Sequence, residues 1–275
     1  LADKLDIIES NIMSGLKDFQ RATVNRIAEL YRNGQMRVLV SDEVGLGKTL
    51  IARGTVAKLA NIRKGEGDKL VKVVYICSNI AIADQNLNKL RISSEVRKEN
   101  ANYSRLSMQH LNIFNQENDT DLLNGFIQLI PLTPDTSFRM TQGAGTYSER
   151  ALMFAILRRL PELQDILPQL EVLMINDAHS AWHWVKPYYE EEVVSCDIKS
   201  NNKYLNYMLK STKTLLKKRQ ENKKTILKEL LEHCEKIKAN KNQRIPSNEL
   251  IGKLRNVFAQ ISLDKLEPDL VIMDE

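Results

Sequence analysis

Residues 36–40 are apolar and β-favouring, residues 42–47 form a turn containing Gly45 and Gly47, and Leu50, Ile51, Val56, Leu59 and Ile62 recur at helical intervals. That order predicts a strand, a flexible turn and a helix whose first N–H groups face the turn. Upstream, Leu5, Ile8 and Ile12 share one side of a helix over residues 1–13, which Ser14 and Gly15 end. Phe19, Ala22, Val24, Ile27 and Leu30 predict a second helix over residues 16–31. Downstream, residues 70–77 are a β-branched run that reads as an internal parallel strand. A helix over 81–90 follows, with Ile82 and Leu87 inward, which completes a βαβ unit. Residues 126–138 begin as a strand and end in turns, whereas 104–110 carry no clear period. Gly143 and Gly145 mark a loop over 139–147, and Leu152, Ala155, Ile156 and Leu160 line one face of a helix over 148–160.

From Trp182 onward the period is helical. Leu205, Met208, Leu209, Leu215 and Leu216, then Ile226, Leu227, Leu230, Leu231, Cys234 and Ile237, give amphipathic stripes on either side of a charged stretch at 217–225. One long helix exposed in its middle and a hairpin of two helices both satisfy this pattern. A further helix is expected over 248–261, with Ser247 after Pro246 as its N-cap. Residues 268–275 read as a short buried strand ending in two carboxylates, Asp274 and Glu275.

At 275 residues and 43% hydrophobic content the chain can build a sizeable core. Its three cysteines, Cys77, Cys196 and Cys234, lack paired spacing, which argues against a disulfide framework or a zinc ribbon. No apolar run approaches the roughly 18–20 residues of a membrane span, and the first residues lack the regions of a signal peptide. The expectation is a soluble intracellular protein, cytoplasmic if bacterial, with no membrane partner. The net charge of +5 is unevenly spread: residues 197–244 hold fourteen Lys/Arg against five Asp/Glu, a surplus of nine that leaves the remainder at −4. Such a segment suits an anionic polymer, although exposed lysine runs more often serve solubility.

The turn carries the chemistry. Backbone N–H groups at a helix N-terminus point at an anion, and glycines let the chain approach it. The phosphate-loop pattern G-x-x-x-x-G-K-[ST] is met at Gly47, Lys48 and Thr49, while Asp42 stands where it calls for its first glycine. A second acidic candidate fails: Asn176 and Asp177 after the apolar run at 173–175 supply one carboxylate, where a metal-and-water site needs two. His179 and His183, spaced i, i+4, have no third ligand at a recognisable spacing and read as packing or surface residues.

The run Asp42-Glu-Val-Gly-Leu-Gly-Lys-Thr49 resembles motif I of superfamily 2 helicase-type ATPases, nearest the Swi/Snf-like double-stranded DNA translocases. Phe19 and Gln20 resemble the upstream element whose glutamine reads adenine, and Asp274 and Glu275 resemble motif II. The resemblance implies an α/β fold: a RecA-like P-loop domain with a parallel sheet and helices on both faces. Its core would span 1–177, a partly basic helical insertion 178–262, and the return strand with motif II 263–275. ATP would be held by Gln20, Gly45, Leu46, Gly47, Lys48, Thr49 and Leu50. Thr49 and Asp274 would ligate Mg²⁺, Lys48 would meet the β/γ-phosphates, and Glu275 would be the general base. Ser78 and Asn79 occupy the place of motif Ia, and serve either as DNA-backbone contacts or as caps of the next helix. Thr133, Thr136 and Ser137 match a strand-to-loop element that touches DNA.

The function implied is the N-terminal motor domain of an ATP-dependent translocase or helicase on DNA, with duplex DNA favoured. In that family a second RecA-like domain contributes the arginine finger, so this piece alone is expected to be inactive or weak in hydrolysis. The competing reading is a P-loop regulatory or assembly protein whose nucleotide organises a protein partner docked on helices at 199–240.

Overall fold

The computed structural model describes residues 1–41, 45–96, 105–116, 126–133, 143–220 and 223–274. Two compact units are present, one made of Leu1–Ser104, Asp119–Asp135 and Glu267–Glu275, the other of Arg105–Asn118 and Thr136–Leu266.

The first unit is α/β. Strands β1 (Val71–Cys77), β2 (Ile127–Leu132) and β3 (Leu270–Asp274) form a sheet in the order β2-β1-β3, with both pairings parallel. Apolar residues run almost unbroken through β1 and β2, as they must in strands covered on both faces. Asp269 sets the register of β3: it takes the Lys72 N–H on Oδ2 at 2.8 Å, returns its own N–H to the Lys72 carbonyl at 2.9 Å, and pairs with Arg63 at 2.6 Å. Strands so far apart in sequence need such a latch, because a one-residue slip would turn every side chain to the wrong face.

Helices α1 (Ala2–Ser14), α2 (Asp18–Arg32), α3 (Lys48–Gly65) and α4 (Ile80–Leu90) complete this unit. Leu5 of α1, Val56, Ala57 and Ala60 of α3, and Ala83, Leu87 and Leu90 of α4 share one core with Val71, Val73 and Tyr75. Helix α2 approaches α3 closely at Gly54, where a Cβ would lie 2.9 Å from Val24 Cγ2.

Several expectations shift. Residues 36–40 join none of the strands, and Met36 and Leu39 are more than four-fifths exposed, so the expected first strand is a segment without regular structure. A β-favouring run becomes a strand only where a neighbour takes its backbone bonds, and none of the three described strands does so. β3 is buried on one side only: Leu270 and Ile272 meet the core while Val271 and Met273 face outward. In α2 the buried stripe is Gln20, Val24 and Ala28, with Phe19 and Ala22 exposed. In α4, Ala83 takes the inward place expected of Ile82.

The second unit is helical: α5 (Gln109–Gln116), α6 (Tyr147–Leu157), α7 (Leu167–Ile175), α8 (His179–Lys199), α9 (Lys203–Lys217), α10 (Ile226–Ala239) and α11 (Asn248–Leu266). It starts well before residue 178 and draws in α5 from far upstream. Residues 201–240 are two helices, with charged residues in the turn, an antiparallel bridge between Arg219 and Thr225, and Thr225 capping α10. Ser247 caps α11, its Oγ accepting from Leu250 N at 3.4 Å. Helix α6 ends at Leu157, before Leu160 and Pro161, since a residue preceding proline is pushed out of helical geometry. Buried Glu149 accepts from Ser107 Oγ at 2.7 Å and Arg255 Nε at 3.1 Å and pairs with Arg105, so α6 is tied to α11 by charge as well as by packing.

Candidate nucleotide site

The loop before α3 is shaped by two glycines with left-handed backbone, Gly45 at φ +90° and Gly47 at φ +81°. L side chains resist this region, so the glycines are required by the turn. Gly47 is the N-cap of α3, and its carbonyl takes the N–H groups of Leu50 at 2.8 Å and Ile51 at 3.2 Å. Lys48 and Thr49 therefore open the helix, where first-turn N–H groups have no intrahelical acceptor and favour an anion. Gly45, Leu46, Lys48 and Leu50 are exposed, and Gly47 and Thr49 are partly so. Asp42 and Glu43 of the same motif lie outside the described residues.

Gln20 is joined to this loop. It is only 4% exposed; Oε1 accepts the Lys17 N–H at 3.0 Å, and Nε2 donates to the Leu46 carbonyl at 2.9 Å. The amide thus caps the start of α2 and fastens it to the glycine loop. Its Nε2 also stands 2.6 Å from where a Cβ on Gly47 would be, so the glycine admits the glutamine as well as the turn. Helical rotation explains the exposed Phe19: with Gln20 turned toward the loop, its predecessor on α2 must face away.

Asp274 is the last residue of β3, and in the register it lies beside Cys77 at the end of β1. It therefore stands at the carboxyl edge of a parallel sheet, the edge at which open α/β sheets bind ligands. Its Oδ2 accepts from Tyr75 Oη at 2.6 Å and from Asn86 Nδ2 at 3.3 Å. Neither Tyr75 nor Asn86 was marked by the sequence as anything but strand and helix. A carboxylate here and a hydroxyl at Thr49 are hard oxygen donors of the kind Mg²⁺ takes, and Oδ1 receives no donor among the described residues. Glu275 lies outside the described residues.

Ser78 and Asn79 are exposed between β1 and α4, at the same sheet edge as Asp274. The Asn79 carbonyl accepts from Ala83 N at 2.9 Å and from Cys77 Sγ at 3.1 Å, so its backbone serves the start of α4. Thr133 follows β2 and is buried. Thr136 and Ser137 lie outside the described residues. In the helical unit Asp177 pairs with buried Arg150 at 2.8 Å, and His179 and His183 are exposed on α8. Among the described residues no cluster of three or more His, Cys, Asp or Glu could hold a metal. The positive surplus at 199–240 is partly neutralised within the unit: Lys213 and Lys217 both reach Glu162 Oε1, and Lys224 and Lys228 reach Glu232. Two ammonium groups pull the partly buried Glu162 carboxyl down to about 2.

The parallel sheet with its flanking helices, and a glycine loop opening a helix, fit an α/β RecA-like fold. Residues 14–130 match the model of one family in particular, described as type III restriction enzyme, res subunit. The match supports a superfamily 2 helicase-type ATPase domain, and its span contains Gln20, Gly45 to Leu50, Ser78 and Asn79. Thr133, Asp274 and the basic helices lie beyond it. No curated protein and no solved structure matches the chain. Among the described residues no helix is long and apolar enough to cross a membrane.

Proposed function

We propose that this chain is the N-terminal motor domain of an ATP-dependent DNA translocase or helicase, with movement along duplex DNA as the favoured mode. The observation that supports the reading is the Gln20 to Leu46 hydrogen bond, which joins the amide that would read the base to the loop that would cradle the phosphates. Gln20 would meet adenine by exchanging one of its two present partners for the base edge. Gly45 to Thr49 would cradle the phosphates with backbone N–H groups, Lys48 would neutralise the β/γ charge, and Thr49 and Asp274 would hold Mg²⁺, which offsets charge on the transferred phosphoryl. Ser78 and Asn79, beside Asp274 on the sheet edge, are the candidates for DNA-backbone contact.

The test is binding of a fluorescent ATP analogue, followed by DNA-stimulated hydrolysis with the second RecA-like domain present. Lys48→Ala should weaken nucleotide binding about 10–100-fold, the range of a lost charge-assisted contact to phosphate. Unchanged binding and turnover in that variant would end the assignment. The alternative, a nucleotide switch that docks a protein on helices at 199–240, is favoured by the lysines already paired with Glu162 and Glu232. Salt separates the two: DNA affinity should fall by about 0.9 log units per neutralised phosphate per log unit of salt, and a protein interface should show no such slope.

A further inference from the structure

The Asp274 carboxylate is held from behind by two side chains on different elements. Tyr75 lies on the face of β1 that also carries Val71, Val73 and Cys77, and Cys77 is the β3 partner of Asp274, so pleating directs Tyr75 and Asp274 to the same side. Helix α4 packs on that side through Ala83, Leu87 and Leu90, bringing Asn86 over the tyrosine hydroxyl. Tyr75 is 1% exposed, and its one hydroxyl proton goes to Asp274 Oδ2 at 2.6 Å. Asn86 Nδ2 donates to the same hydroxyl at 2.8 Å and leans toward Asp274 Oδ2 at 3.3 Å, which closes a triangle of polar groups.

The requirement this meets is geometric. A lone carboxylate at a strand end can rotate about its side-chain bonds, and a metal ligand that rotates loses affinity through entropy. Fixing Oδ2 orients the carboxylate plane and leaves Oδ1 as the oxygen not engaged by a described donor. Partners one step behind a metal ligand typically carry about 10–100-fold of metal affinity. A core tyrosine in a β-branched strand needs no such partner for its ring, and phenylalanine would fill the same space. The hydroxyl is therefore the informative atom.

We infer that Tyr75 and Asn86 are positioning residues that orient Asp274 for the Mg²⁺ of a bound nucleotide, a role that rests on the reading of Asp274 given under the proposed function. Three variants of the full chain separate the outcomes: Tyr75→Phe, Asn86→Ala and Asp274→Asn. Each is titrated with a fluorescent ATP analogue in chelator and then with increasing Mg²⁺, alongside urea unfolding. The expected result is nucleotide affinity in chelator unchanged in Tyr75→Phe and Asn86→Ala, and a Mg²⁺ half-saturation raised by about 10-fold or more in Tyr75→Phe and by a smaller factor in Asn86→Ala. A purely structural tyrosine would lower the urea midpoint and leave the Mg²⁺ midpoint in place. If Asp274→Asn shifts the Mg²⁺ midpoint while Tyr75→Phe and Asn86→Ala do not, the positioning role is refuted and the nucleotide site stands. If Asp274→Asn itself has no effect, Asp274 is not a metal ligand and both readings fall. Asn86→Ala, in a partly exposed helix position where alanine is the best helix former, keeps the test decisive should Tyr75→Phe fold poorly.

Discussion

Gly47→Ala should destabilise the α/β unit through backbone strain and through Gln20 together. At φ +81° a Cβ costs about 1–2 kcal/mol in the left-handed region. The added carbon would also sit 2.6 Å from Gln20 Nε2, too close for any ordered contact, so the amide must leave its 2.9 Å bond to the Leu46 carbonyl. A lost neutral hydrogen bond adds about 1 kcal/mol, giving a total of about 2–3 kcal/mol. Gln20→Ala forfeits the same bond but removes the obstacle, so in that background Gly47→Ala should cost only the backbone strain. The double-mutant cycle should therefore show a coupling of about 1 kcal/mol, read from urea midpoints at constant m-value. Strict additivity, or a Gly47→Ala protein as stable as the parent, would refute the claim that Gln20 is fastened to the loop. Nucleotide affinity alone could not decide it, because a methyl at Gly47 would also obstruct phosphate.

Three further outcomes follow from the packing. Gly54→Leu, which drives a side chain at Val24 Cγ2 from 2.9 Å, should cost about 1–3 kcal/mol as overpacking, and Val24→Ala should restore much of it in the same unfolding assay. Glu149→Gln removes the carboxylate from Arg255, itself 1% exposed, and should cost about 3–5 kcal/mol of the helical unit's stability, measured by circular dichroism of the unfolding transition. Acid should loosen the same unit: burial pulls His110, packed against Tyr204 and Phe258, from 6.5 down to about 3. The unfolded chain then takes up a proton that the folded one refuses. Its contribution is complete above pH 6.5 and declines as pH falls toward 3, by about 1.4 kcal/mol per unit. His110→Gln should flatten that dependence in urea midpoints taken across the window, and an unaltered slope would refute it.

What the sequence determined by itself is local. Helical periods, β-branched runs, the glycines of the loop and the cap at Ser247 follow from the preferences of a few neighbouring residues, and they set the elements to within a few positions. The turn at Gly47 and the helix start at Lys48 were legible for the same reason, since they form one short contiguous stretch. What only the tertiary structure decided depends on partners remote in the chain. Residues 36–40 have the composition of a strand but no ladder, because strand formation needs a neighbour that composition cannot supply. Gln20 is buried and Phe19 exposed because a carbonyl 26 residues away accepts from the amide. Tyr75 reads as core in any strand; that its hydroxyl meets Asp274, 199 residues later, is fixed by the parallel register that Asp269 latches between β1 and β3.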